Sequence, residues 1–254
     1  MPLLEVKNLS VKYQNALAVE NLSFTLEGGE ILCIVGESGS GKSTILRAVA
    51  GLLPEYASAE GGIFFFGKNL LELSEEEFNA LRGKEMGFIF QEPSLYYDPL
   101  YTVGYQIEET CKIHTHLECF EKTIGSLRRA GIKEPLRVYN SYPHQLSGGL
   151  KQRVNIADAT VNEPKLLLAD EPTTALDLPT QKRVLELLKR LRAEGKAILL
   201  VTHDFGVVWE VADRVLVMKE GKKVEEGSVF EIFEKPKHPY TKKLIDIFKS
   251  LSFL

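Results

Sequence analysis

Residues 36–44 read Gly36-Glu37-Ser38-Gly39-Ser40-Gly41-Lys42-Ser43-Thr44. The stretch satisfies G-x-x-x-x-G-K-[ST] at every fixed position. An apolar run, Ile31-Leu32-Cys33-Ile34-Val35, precedes it, and a helix-like segment from Thr44 to Ala50 follows. A strand, a glycine-rich loop and a helix in that order make a phosphate cradle. The glycines let backbone N–H groups turn inward around phosphate oxygens, and the helix points the positive end of its dipole at the same oxygens. In such a cradle Lys42 reaches the β- and γ-phosphates of a nucleotide, and the Ser43 hydroxyl ligates Mg²⁺. Flanks of this kind disfavour a plain Gly-rich turn before a helix.

Bulk properties fit one large α/β domain, or a core with a subdomain, at 254 residues. The 31 Lys and Arg stand against 35 Asp and Glu, a net charge of −4, so nothing in the charge implies non-specific nucleic-acid binding. No uninterrupted apolar run approaches the ~18 residues of a membrane span. Met1-Pro2-Leu3-Leu4-Glu5-Val6-Lys7 lacks a basic region followed by an apolar one, so no signal peptide is expected. Cys33, Cys111 and Cys119 are widely spaced and odd in number. They suggest neither a disulfide framework nor a zinc site, and point to a reducing compartment.

Changes of pattern divide the chain. Residues 3–8 and 21–26 read as strands flanking a loop, with Gly28-Gly29 as a turn. Ile63 to Phe66 is a short strand ended by Gly67, and Met86 to Phe90 a buried strand leading to Gln91. From about Tyr101 to Val161 strand signals fade and helical spacing takes over, with Ile107, Cys111 and His114 on one face and Phe120, Ile124 and Leu127 on another. Residues 96–160 therefore read as a helical insertion. After it, apolar strands (165–170, 197–202, 214–218) alternate with helices (179–194, 205–212), which implies a mostly parallel sheet.

A second set of motifs narrows the function. Leu146-Ser147-Gly148-Gly149 is followed by Lys165-Leu166-Leu167-Leu168-Ala169-Asp170-Glu171-Pro172, an apolar strand ending in two acids. Ala175-Leu176-Asp177 and Val201-Thr202-His203-Asp204 come next. This order, over essentially the whole chain, resembles the ATP-binding-cassette (ABC) ATPases. The resemblance implies a P-loop NTPase (RecA-like) α/β core over about 1–95 and 161–254, with an antiparallel β portion near the N-terminus. The signature-bearing helical subdomain would span about 96–160. ATP and Mg²⁺ are the implied ligands. Asp170 would hold the Mg²⁺ shell with Ser43 and Gln91, and Glu171 would act as general base on the attacking water. His203 would contact the γ-phosphate, and Gln91 resembles the Q-loop glutamine that joins the metal site to the helical insertion. Tyr13 would stack on adenine. Leu146, Ser147, Gly148 and Gly149 would serve nucleotide bound to a partner subunit, so that ATP joins two cassettes head to tail, and Asp177 is counted among the nucleotide-binding residues.

Position 150 is Leu where the commonest signature has Gln. A hydrophobic residue there resembles the peptide- and nickel-importer group, as do Asp98-Pro99-Leu100-Tyr101-Thr102-Val103-Gly104-Tyr105-Gln106-Ile107 and Lys237-His238-Pro239-Tyr240-Thr241-Lys242-Lys243-Leu244. The resemblance implies an ATPase subunit on the cytoplasmic face of the cell membrane. Its partners would be a second ATPase (a paralogue or a second copy), two transmembrane permeases and, indirectly, an extracellular substrate-binding protein, with no nucleic acid. A permease helix would dock between Gln91 and about Tyr105, where Tyr96, Tyr97 and Tyr101 read as exposed. Some members of the group carry an iron–sulfur cysteine cluster after the His-Pro-Tyr-Thr segment; none is expected here. The alternatives are a non-transport ABC switch of DNA repair or translation, which usually carries coiled coils or two cassettes, and a simple P-loop kinase, which lacks Leu-Ser-Gly-Gly.

Overall fold

A computed structural model describes residues 1–115 and 118–252. The chain forms two compact units, Met1–Ser74 with the chain from Arg192 onward, and Glu75–Leu191.

The first unit opens with strands β1 (Leu4–Tyr13) and β2 (Ala16–Leu26), an antiparallel hairpin closed by two residues between Tyr13 and Ala16. Leu4, Val6, Leu9 and Val11 are buried along one face. Apart from the turn at residues 14 and 15, the stretch expected as a loop between residues 8 and 21 is therefore strand. Asn8 and Asn21 have φ of 48° and fall at register shifts, so the alternation of apolar and polar residues breaks there without ending the pairing. Next come β3 (Ile31–Val35), helix α1 (Lys42–Val49), β4 (Ala57–Phe65) and β5 (Lys68–Asn69). β4 pairs with β1 and begins six residues before the expected Ile63, because Gly61-Gly62 sits at an irregularity within the strand rather than at its end. β2, β1, β4 and β5 form the antiparallel sheet, in that order.

The second unit holds α2 (Glu75–Leu81), β6 (Met86–Ile89), α3 (Val103–Lys112), α4 (Cys119–Arg129), α5 (Pro135–Tyr139), α6 (Gly148–Ala159), β7 (Leu166–Asp170) and most of α7 (Leu178–Ala193). β6 and β7 pair in parallel. Ile107 and Cys111 of α3 and Ile124 and Leu127 of α4 are buried, whereas Phe120 is exposed and sits edge-on against Tyr139. The cysteines correct the expectation of free thiols: Cys111 and Cys119 are disulfide-bonded, with Cα atoms 5.7 Å apart. The end of α3 meets the start of α4, a proximity that a spacing of eight residues does not reveal. Cys33 is buried in β3, and burial pushes its thiol far above the ordinary range.

The first unit resumes with β8 (Ala197–Thr202), α8 (Phe205–Val211), β9 (Arg214–Lys219), β10 (Lys222–Ser228), α9 (Val229–Glu234) and α10 (Pro239–Ser252). β3 lies between β8 and β9 and is parallel to both. Every residue of β3 and β8 is buried, as expected for strands covered on both faces. Phe205, Trp209, Phe233 and Phe248 interlock α8, α9 and α10, with Phe233 at the centre, 5.0 Å from Trp209 and 5.6 Å from Phe248. Among the described residues no helix is long and apolar enough to cross a membrane.

Arg214 ties this unit together from the side. Its guanidinium lies 2.7 Å from Glu30 and 3.1 Å from Glu226, and donates to the Thr25 carbonyl. Arg214→Ala leaves two largely buried carboxylates without their shared cation, and should cost about 2–3 kcal/mol in urea unfolding. Arg214→Lys should recover less than half of that, because an ammonium cannot fork to both acids.

Candidate functional site

β3 delivers the chain into the phosphate loop. Gly36 has φ of +156° and faces the Met218 carbonyl, and Gly41, at +95°, faces that of Ala18, so a Cβ at either place would collide with backbone. Only glycine fits such a path. Gly36 and Ser40 are buried, while Glu37, Ser38 and Gly39 are exposed. The helix begins at Lys42, two residues before the expected Thr44, and Gly41 at its N-cap supplies no side chain to occupy its amides. Such amides, aimed past a bare glycine, are what a phosphate requires. Lys42 is only 6% exposed, with Nζ 2.9 Å from the Gly36 carbonyl and 2.8 Å from that of Glu37. Ser43 and Thr44 occupy the first turn of α1. The Tyr13 hydroxyl at the end of β1 donates to Thr44 Oγ1 at 3.3 Å, with Tyr56 beside its ring at 6.2 Å. Tyr56 was not singled out from sequence.

The parallel register aligns Val35 with Thr202. Gly36 and His203 therefore leave neighbouring strands at the same level. His203 is exposed, between Thr202, whose hydroxyl accepts the Asp204 N–H at 3.1 Å, and Asp204, whose carboxylate caps α8 at the Gly206 N–H, 2.7 Å away. The two bonds fix the turn that carries the histidine.

In the second unit the register aligns Ile89 with Ala169, which sets Gln91 beside Asp170 and Glu171. Asp170 is the last, buried residue of β7. Glu171 has φ of 42°, a left-handed conformation that is costly for a residue with a Cβ and common at functional sites. Gln91 Nε2 donates to Glu171 Oε2 at 3.2 Å, and Thr174 Oγ1 donates to the same oxygen at 2.9 Å. Both donors orient the carboxylate.

Leu146 is buried, and Ser147, Gly148 and Gly149 open α6 at the surface. Ser147 is the N-cap, yet its hydroxyl makes no cap bond. Gly149 approaches Thr180 so closely that a Cβ would strike that side chain. Thr180 donates from its hydroxyl and its backbone to Asp177, which holds that carboxyl below its usual range.

Four side chains of α6 bind the segment after β6, and sequence reading missed them. Asn155 and Gln152 donate to the Phe90 carbonyl at 2.9 and 3.4 Å, Lys151 donates to Ser94 at 3.1 Å, and the Tyr97 hydroxyl donates to Asp158 at 3.2 Å. Tyr97 is buried, against expectation, because this bond draws it inward; Tyr96 and Tyr101 are exposed as expected. The available signal was that Gln152 and Asn155, polar residues within α6, are buried.

The geometry now meets known proteins. The ABC transporter family model matches residues 19–174. The chain is 46% identical to the peptidoglycan transport ATP-binding protein YejF of Agrobacterium fabrum, over 96% of this chain and 46% of the relative. It is 45% identical to the dipeptide transport ATP-binding protein DppD of Haemophilus influenzae, over 96% of this chain and 77% of the relative. The chain thus spans less than half the length of the first relative. Among solved structures, the ATP-binding cassette MJ0796, in a dimeric post-hydrolysis state bound to ADP and Pi, is 32% identical with a TM-score of 0.78, over 89% of this chain and 98% of that one. The chain belongs to the ABC transporter family. Its fold is that of an ATP-binding cassette.

Asp158 gives a pH prediction. Burial pushes its carboxyl from 3.8 up to about 6, against hydrogen bonds from Thr110 and Tyr97 that pull it down. The native state then holds a proton that the unfolded chain releases, so this group's contribution to stability falls as pH rises from about 4 to 6.5. The fall should be about 2–3 kcal/mol. Asp158→Asn should remove that slope from the urea midpoint; an unchanged slope would place the titration elsewhere.

Proposed function

We propose that this chain hydrolyses ATP and thereby energises a membrane importer of peptides. The observation that carries the catalytic part is the Glu171 carboxylate, fixed beyond β7 by Gln91 and Thr174 on a left-handed backbone. A carboxylate oriented in this way suits a general base on water.

In this reading the loop from Gly36 to Thr44 binds the phosphates, with Lys42 exchanging its two carbonyl partners for phosphate oxygens. Tyr13 stacks on adenine. The donor chemistry suits Mg²⁺: a first-turn hydroxyl (Ser43), a buried strand-end carboxylate (Asp170) and a carboxamide (Gln91) are hard oxygen donors that would hold the ion, directly or through water. Bound Mg²⁺ neutralises charge on the phosphates. Glu171 takes the proton of the attacking water, and His203 contacts the γ-phosphate.

Pairing follows from the signature. The uncommitted Ser147 hydroxyl and the amides of Gly148 and Gly149 form an anion site, while the phosphate loop already serves this chain's own nucleotide. We assign them, with Leu146 and Asp177, to nucleotide on a second cassette, and the dimeric relative supports that assignment. The partner is a sister ATPase or a second copy, and two permeases receive the work. The 96–160 segment is the subdomain that faces them, through exposed Tyr96, Leu100 and Tyr101. The names of the relatives support peptides as cargo.

Glu171→Gln should bind ATP as the parent does but turn it over ~100-fold or more slowly in the assembled transporter, because an amide cannot accept the proton. Lys42→Ala should lose nucleotide binding itself. Phosphate release by Glu171→Gln near the parent rate would remove Glu171 from this role.

A further inference from the structure

The segment His238-Pro239-Tyr240-Thr241 serves no step above, yet the fold brings it to the phosphate loop. Glu225 on β10 anchors the approach: its carboxylate accepts the backbone N–H groups of Lys237 at 2.7 Å and His238 at 2.9 Å. His238 Nδ1 accepts the Tyr240 N–H at 3.1 Å, and the His238 carbonyl accepts from Lys242 at 3.0 Å. Pro239 opens the helix, where a missing N–H costs nothing. The start of α10 is therefore held from two directions.

Tyr240 uses that placement. It is 9% exposed, and the Lys219 ammonium sits over its ring at 5.3 Å. Its hydroxyl accepts the backbone N–H of Glu37 at 3.3 Å. The carbonyl of the same residue accepts Lys42 Nζ. Glu37 is thus gripped on both of its backbone groups, one by the lysine that must leave for phosphate and one by a tyrosine that need not move. The neighbouring chain adds to the frame, since Gly221 N–H donates to the Ser40 carbonyl at 3.2 Å.

We propose that Tyr240 is a positioning residue of the phosphate loop, holding Glu37 so that the loop keeps its phosphate-ready path when Lys42 changes partner. This rests on the reading that the loop binds ATP. A loop already in its bound conformation loses less freedom on binding, so the tyrosine acts on affinity rather than on the chemical step. It also links the first turn of α10 to nucleotide occupancy.

Tyr240→Phe removes one hydroxyl and keeps the ring. One neutral hydrogen bond corresponds to a loss of roughly 3- to 10-fold in ATP affinity by calorimetric titration of the full chain. The Glu37 amide should also exchange with deuterium faster in the nucleotide-free variant, while the nucleotide-free thermal midpoint stays at the parent value. Unchanged ATP affinity, unchanged Glu37 exchange, or a midpoint that falls together with affinity would each overturn the positioning role. Lys42→Ala is titrated alongside. If it binds ATP as tightly as the parent, the phosphate-loop reading itself fails; if only the phenylalanine variant matches the parent, the Tyr240 inference fails alone.

Discussion

At the end of β3 the backbone must pass from a fully buried strand into a helix within six residues, and the rest of the first unit is arranged around that turn. Gly36 and Gly41 adopt conformations open to glycine, against the carbonyls of Met218 and Ala18. The path leaves the amides of α1 without a side-chain cap and folds Lys42 onto the loop's own carbonyls at Gly36 and Glu37. Parallel pairing then ranks the neighbours: β8 brings His203 to the level of Gly36, and β9 brings the residues that frame Gly36 and Ser40. Ligands of open parallel sheets bind beyond the carboxyl ends of the strands, and the glycine loop and His203 both leave from that edge.

The second unit repeats the device. Two parallel strands end at Gln91 and at Asp170-Glu171, and their register makes the amide and the carboxylate neighbours. α6 then holds the Gln91 segment by its Phe90 carbonyl while presenting Ser147-Gly148-Gly149 at its exposed start. A change at Gln91 is mechanically tied to the helix that carries the signature. That tie runs through Asn155, Gln152 and Asp158, none of which belongs to a motif.

What sequence made legible was local. The phosphate loop, the acids after an apolar strand and the glycine pair opening α6 are contiguous, so their chemistry can be read without knowing the fold. The alternation of strands and helices after Val161 was equally plain, because strands buried on both faces are apolar throughout. The longer β1, β2 and β4 were hidden by irregularities at Asn8, Asn21 and Gly61-Gly62, which mimic loops in a pattern of period two. Contacts between distant residues left no local trace. Asn155 with Phe90, Cys111 with Cys119 and Tyr240 with Glu37 depend on how helices return to strands, and residue type alone is silent on that.

The central claim is that the loop between β3 and α1 recognises a polyphosphate chain, with the base a lesser contact. Titrating ATP, ADP and AMP into the chain in the presence of Mg²⁺ tests this most directly. ATP and ADP should bind, and AMP, which lacks the β-phosphate that Lys42 and the α1 amides are built to receive, should bind at least ~100-fold more weakly, a difference of about 2.7 kcal/mol. Equal affinity for AMP and ATP would contradict the account.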